Sequence, residues 1–292
     1  MLHTAVLLFG FTGIVGEFIK RNEALSGAGI VWWRMLITLI SLFFFSKIFK
    51  KVKSIPKRDR LRIMGIGVLV AAHWVTFFGA IQMTNASITI SILASAAFFT
   101  SLIEPMILKS KFQLRETLLG ALVIVGFVFI FGFTPPENNA GIVVAIISAI
   151  LAATFGVLNK GMVAKHDIYA ITLLEFVAGV VMLTVLVPIY GFFTVGNPLD
   201  GLMPAEADWP WLLFLAIGCT TLAFTLTMIS LKSLSAFTTA LAINLEPIYT
   251  IILAAVLFQQ HENMQAGFYI GALIIILAVA VNPILKGRSR SS

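Results

Sequence analysis

Stretches of about 20 mostly apolar residues follow one another along almost the whole chain, at 2–20, 29–46, 61–83, 87–108, 117–134, 141–160, 168–192, 211–232, 237–258 and 266–285. A helix of that length crosses the hydrocarbon core of a bilayer, whereas a strand needs about half as many residues. Backbone groups in hydrocarbon must be satisfied within the protein, so runs this long read as helices. The chain is therefore expected to be an all-α integral membrane protein with about ten transmembrane helices. Composition agrees, with 59% of the 292 residues hydrophobic and 11% charged. A soluble domain carries roughly 25% charged residues and would need them for a polar skin. Only the connections 47–62, which is basic, and 190–210, rich in Gly, Pro and acidic residues, leave room for a feature outside the membrane. The first run starts at Leu2 with no basic segment before it, so a retained helix is expected rather than a cleaved signal.

Lysine and arginine fall on alternate connections. With the N-terminus on side one, that side holds eight basic residues in 47–62 and three in 109–115. It also holds Lys160, Lys165, Lys232, Lys286, Arg288 and Arg290, making seventeen of the twenty in the chain. Side two holds Lys20 and Arg21, and Arg34 lies inside a run. A missed or invented helix would scramble this alternation. The positive-inside rule then places side one, and both termini, in the cytoplasm. These tethered loops also account for the net charge of +7, so no nucleic-acid partner is expected. Asp200, Glu206 and Asp208 fall outside, and Trp209 and Trp211 belong where an outer aromatic belt would sit.

Sliding the chain by 151 residues lays Gly120-Ala121-Leu122 on Gly271-Ala272-Leu273 and superposes the flanking runs without a gap. Two five-helix repeats follow, 1–134 and 141–285, with a short basic tail at 286–292. Because five is odd, the halves are expected to have opposite orientations. Inverted-topology repeats are a signature of secondary transporters, with the substrate path between the halves near the midplane.

Ionisable side chains within spans are costly and are functional hypotheses by default. Glu246 stands in mid-span before Pro247, whose missing N–H frees a carbonyl there. A carboxylate beside such a break can bind a cation, an amine or a proton. Glu175 lies inside the seventh run. His73, preceding Trp74, reads equally as a packing residue or as a ligand or proton carrier. Glu17 either lines the path or snorkels outward near Lys20, and Arg34 either lines the path or pairs with Glu17 to hold two helices together. Asn159 either caps its helix or lines the path. Glu104, close to Lys109, reads as an interfacial anchor, and Asn85 as a helix cap. Gly267 with Gly271 and Ser91 with Ser95 form small-xxx-small steps suited to close helix packing. The single cysteine, Cys219, is expected to be a buried, inert thiol. No two of the four histidines share a helix at ligand spacing, so neither a metal nor another cofactor is expected.

Several motifs, in order, resemble the EamA-type members of the drug/metabolite transporter superfamily. They are Phe9-Gly10-Phe11-Thr12-Gly13, Trp32-Trp33-Arg34-Met35, His73-Trp74-Val75-Thr76-Phe77-Phe78-Gly79, Leu245-Glu246-Pro247 and the Gly-Ala-Leu segments of both halves. The resemblance spans essentially the whole chain. It implies a ten-helix inverted-repeat carrier of bacterial inner membranes, with a central cavity and, commonly, export of amino acids or related metabolites. Members often end the ninth span with a glycine–glutamate pair where this chain has Gln259-Gln260. No coupling role at position 260 is therefore carried over. The first-half residue aligned with Pro247 at this offset is Ala96.

No phosphate-binding Gly-x-x-x-x-Gly-Lys-Ser/Thr loop is present, so energy is expected from a gradient. Protons are the candidate counter-ion, through Glu246, Glu175 or His73. The expected substrate is a small metabolite with an amino group to meet Glu246 or Glu175. A passive channel and a membrane-embedded enzyme are the competing classes.

Overall fold

The computed structural model describes the backbone of residues 1–20, 25–43, 48–84, 86–131, 139–195, 201–258 and 266–288. Each apolar run is helical, and no strand occurs among the described residues. The first half comprises α1 (Leu2–Lys20), α2 (Gly27–Phe43), α3 (Ile48–Ser54), α4 (Lys57–Met83), α5 (Ala86–Leu93), α6 (Ala96–Leu108) and α7 (Leu114–Phe131). The second comprises α8 (Asn139–Val163), α9 (Ile168–Val195), α10 (Trp209–Ala216), a π-helical turn (Ile217–Leu222), α11 (Ala223–Ser233), α12 (Ala236–Ile243), α13 (Glu246–Phe258) and α14 (Ala266–Arg288). Several helices outrun their apolar stretch. The first turn of α4 takes in Lys57 to Arg60, and α14 continues into the expected basic tail. Backbone hydrogen bonding, unlike hydropathy, does not stop at the lipid boundary.

Four helical stretches among the described residues are long and apolar enough to cross a membrane: Lys57–Ile81, Asn139–Val163, Ile168–Ile189 and Glu206–Ser233. A fifth qualifies if α2 and the bent-away α3 form one span. Leu118, Leu122, Val125 and Phe129 lie exposed along α7, and Val181, Val185 and Ile189 along α9. Their three- and four-residue spacing puts each set on one stripe. Facing water, such stripes would drive aggregation, whereas lipid tails solvate them. The protein is thus an integral membrane protein.

Among the described residues, the basic stretch holds a short extra helix, α3. It turns Ile48 inward against Leu173 and Tyr169, and Lys51 Nζ lies 2.9 Å from Asp167 Oδ2. At the same end His166 Nε2 lies 2.9 Å from Asp59 Oδ2, and Lys160 Nζ donates to the Leu231 carbonyl at 2.6 Å. At the opposite end the Ser26 amide donates to the Gly201 carbonyl at 2.8 Å and Trp33 Nε1 to the Leu202 carbonyl at 2.7 Å. Three of the connections that the charge pattern puts on one side, at 48–62, 160–168 and 231–232, lie together at one end.

Helix pairing has a two-fold pattern. α7 packs on α14, and α2 on α9. α4 lies against α8 and α9 just as the stretch 209–233 lies against α1 and α2, and α6 packs on α8 as α13 packs on α1. Between lipid-embedded helices this packing relies on close contact rather than hydrophobic exclusion. Gly267 supplies it as expected, and Gly126 does so from α7. A methyl at Gly267 would meet the Phe129 carbonyl at 2.5 Å, and one at Gly126 would meet the Gly271 carbonyl at 3.1 Å.

The fourth and ninth runs differ from the single helices expected, because each is broken. α5 and α12 both have 8 residues, α6 and α13 both have 13, and each pair starts 150 residues apart. This register replaces the 151-residue offset, so Ala96 stands opposite Glu246 and Ala97 opposite Pro247. The Gly-Ala-Leu match is local to the helices after the break and cannot register the break itself.

Candidate functional site

The two breaks are the same turn built from different residues. Ser95 N donates to the Ile92 carbonyl at 3.0 Å, and Leu245 N to the Ala242 carbonyl at 3.1 Å. The breaks also touch: Asn244 Nδ2 donates to the Ala94 carbonyl at 3.3 Å. An interrupted helix leaves carbonyls without intrahelical donors, and Asn244 closes one of these across the interface between halves. Ser95 Oγ donates to the Ile92 carbonyl at 2.5 Å; Ser91, its partner in the expected packing step, lies outside the described side chains. Pro247 falls in the first turn of α13, where a missing N–H costs no hydrogen bond. Glu246 therefore opens a helix. Its carboxylate lies deep in the bundle, yet the residue is partly exposed, and no described residue hydrogen-bonds it. Gly10 permits this approach, since a methyl there would stand 3.1 Å from Tyr249 Cβ and 3.5 Å from the Glu246 carbonyl.

Opposite Glu246 lies Arg34, 4% exposed. Its Nε donates to Thr220 Oγ1 at 2.5 Å and a terminal nitrogen to the Cys219 carbonyl at 3.3 Å. Its guanidinium carbon sits 4.3 Å from the centre of the Trp74 ring, a cation–π contact worth about 2 kcal/mol when desolvated. Arg34 and Glu246 are near enough for their charges to attract, though no direct ion pair joins them.

Arg34 docks on the π-helical turn. Such a turn widens the helix and is frequent at functional sites. Here Thr220 and Thr221 donate back to the carbonyls of Leu215 and Ala216 at 2.8 and 2.9 Å. Thr38, one turn after Arg34, donates to the Ala216 carbonyl at 3.1 Å. Arg34 and Thr38 thus pin α2 to the turn. The Glu17 side chain lies outside the described residues, as do Lys20, Arg21, Asn85 and Gln259-Gln260. Cys219 is fully buried, as expected.

His73 is clasped to α8. Its Nδ1 lies 3.0 Å from the Ser148 carbonyl, and Ser148 Oγ donates to the His73 carbonyl at 3.1 Å. Its neighbour Trp74 turns its edge to Phe176, with ring centres 6.0 Å apart. Glu175 and Asn159, on α9 and α8, come together in the core, 0% and 1% exposed. They stand apart from the Arg34–Glu246 pair and have no charge coupled to them among the described residues. Glu104 has a more definite structural task than an interfacial anchor. Its two oxygens accept from the amides of Ala236 and Phe237 at 3.0 and 2.8 Å, capping α12 from the other half.

Arg34, Trp74 and Glu246 therefore converge, with His73 behind them. Asn244, Thr220 and Thr221 were not singled out in the sequence. Asn244 had a usable signal, as an amide inside an apolar run two residues before Glu246-Pro247. The threonines had none, because a π-turn has no hydropathy signature.

A helical membrane bundle with paired broken helices and buried opposite charges between its halves has the build of a transporter. The family comparison agrees: the model of the EamA-like transporter family matches residues 1–132 and again 139–282. The chain belongs to that family and is a membrane transporter of the drug/metabolite transporter superfamily. No curated relative matches it by sequence. Of the 28 chains of solved structures that match, one crystal structure superposes with a TM-score of 0.78 at 15% identity. That match covers 98% of this chain and 96% of the other, and at such identity the likeness is one of fold.

Proposed function

We propose that this protein is a ten-span secondary carrier, built as two inverted five-helix halves, that exports small amino-bearing metabolites, amino acids foremost, by alternating access. The observation that carries this reading is a buried Arg34 and a helix-opening Glu246, neighbouring but not ion-paired, beside two touching helix breaks. A free carboxylate suits an ammonium group. Arg34 has five N–H donors, of which two serve Thr220 and Cys219, so others remain for a carboxylate. A zwitterion would satisfy both charges, which otherwise stay desolvated at a cost. The two-fold helix pairing supports inverted halves, and the gathering of three basic connections at one end supports cytoplasmic termini in a bacterial inner membrane. An inward proton gradient is the energy source in this reading, since no nucleotide-binding loop is present.

Proteoliposomes loaded with labelled amino acids test it. Saturable efflux accelerated by an inward proton gradient, and lost in Glu246→Gln, is the expected result. Unsaturable conductance would make the protein a channel, and efflux indifferent to the gradient would remove proton coupling.

A further inference from the structure

Three buried core oxygens lack a well-formed hydrogen bond among the described residues: both carboxyl oxygens of Glu175 and the Oδ1 of Asn159. The two side chains lie within loose hydrogen-bonding reach of each other. Glu175 is wholly buried and Asn159 nearly so. An ionised carboxylate left this way is among the most expensive arrangements a protein interior can hold.

Most charged groups on the surrounding elements are engaged elsewhere or lie at a helix end. On α2, Arg34 serves Thr220 and Trp74. On α3, Lys51 serves Asp167. On α4, Asp59 serves Arg62 and His166 near the helix end, close to Lys57, Arg58 and Arg60, while His73 serves Ser148. On α8, Lys160 reaches the carbonyls of Leu231 and Lys232, and Lys232 of α11 is exposed. A metal cation is a poor occupant, because only three oxygens are offered. α8 and α9 are unbroken there, so no backbone carbonyl is freed to complete a shell.

One hydrogen resolves all three orphans. A carboxylic acid and a carboxamide form a cyclic pair in which the acid O–H donates to Oδ1 and Nδ2 donates to the other carboxyl oxygen. We infer that Glu175 holds a proton against Asn159 in this conformation and that this pair, rather than Glu246, is the proton-coupling site of the carrier. The inference rests on the proton-coupled reading above and assigns its coupling residue. Glu175 lies seven residues into α9, about 10 Å along the helix from the end where His166 meets Asp59. Gly67 keeps α4 in contact with the Glu175 backbone and closes that side. In the turnover step the Glu175 O–H bond breaks when the halves rock open. The electron pair stays on the carboxylate, and the proton passes to water at the His166–Asp59 end.

Infrared spectroscopy of the full chain in liposomes tests the proton directly. Wild type is expected to show a protonated-carboxyl C=O band that downshifts in D2O. Glu175→Gln, which can still pair amide to amide, should remove it, and Asn159→Leu should move it to higher frequency. In the same liposomes, Glu175→Gln is expected to retain amino-acid exchange while losing gradient-driven accumulation at least tenfold. The inference is overturned if wild type lacks the band, if Glu175→Gln leaves it in place, or if accumulation persists in that variant. A band that follows Glu175, in a protein with no saturable transport, would sink the carrier reading and leave the protonated pair standing.

Discussion

At the first helix break the chain reads Ala94-Ser95-Ala96-Ala97; in the same turn 150 residues later it reads Asn244-Leu245-Glu246-Pro247. The backbones match down to the hydrogen bonds that close the turn. The side chains do not. The first break is small and nearly apolar, with a serine that satisfies its own segment's carbonyl. The second holds the amide that bridges the halves, the carboxylate facing Arg34 and the proline that starts the next helix. The shared backbone supplies two interruptions that meet, and in the proposed reading one of them carries the chemistry. A duplicated fold therefore need not carry a duplicated site.

The comparison breaks most sharply at Glu246. Glu246→Gln should weaken substrate binding by about 3 kcal/mol, roughly a hundredfold, while Ala96→Ser at the matching position should leave transport within about twofold. Equal losses at both positions would restore a symmetric site. Arg34→Lys comes next. Lysine keeps the charge but loses the planar fork and much of the stacking on Trp74, so affinity should fall about tenfold.

Smaller effects separate scaffold from site. Glu104→Ala strips the cap from α12 and should lower stability by about 1–2 kcal/mol while leaving substrate affinity unchanged, as thermal melting with and without substrate would show. Asn244→Ala should cost about 1 kcal/mol by orphaning the Ala94 carbonyl. Ser95→Ala should cost about half of that, since its bond is local. If Ser95→Ala proves the worse of the two, the bridge between breaks is not what holds them together.

Much of this architecture was legible from hydropathy and charge, because lipid imposes a length on each helix and the alternation of lysines and arginines constrains their number. Glu246, Arg34 and Trp74 stood out because charged and aromatic groups are conspicuous in apolar runs, and the fold brings them together. The break at Ala94-Ser95 was hidden, since neither residue interrupts a helix by covalent geometry; its contact with Asn244 comes from the other half of the chain. The π-turn was hidden for a similar reason. Its register depends on Arg34 and Thr38 arriving from a helix about 180 residues away. Glu104 could be seen but not assigned, because its partners are backbone amides in the other half.

The central claim is that one substrate molecule spans Arg34 and Glu246. Thermal-shift measurements on the purified protein test this most directly, using the standard amino acids alongside the amines and carboxylic acids obtained by deleting either charged group. A ligand that binds only the folded state raises its melting temperature. The account predicts stabilisation by an amino acid, a smaller shift with either half-molecule, and loss of the amine-dependent part in Glu246→Gln. Full stabilisation by the amine alone, or a shift untouched by Glu246→Gln, would contradict it.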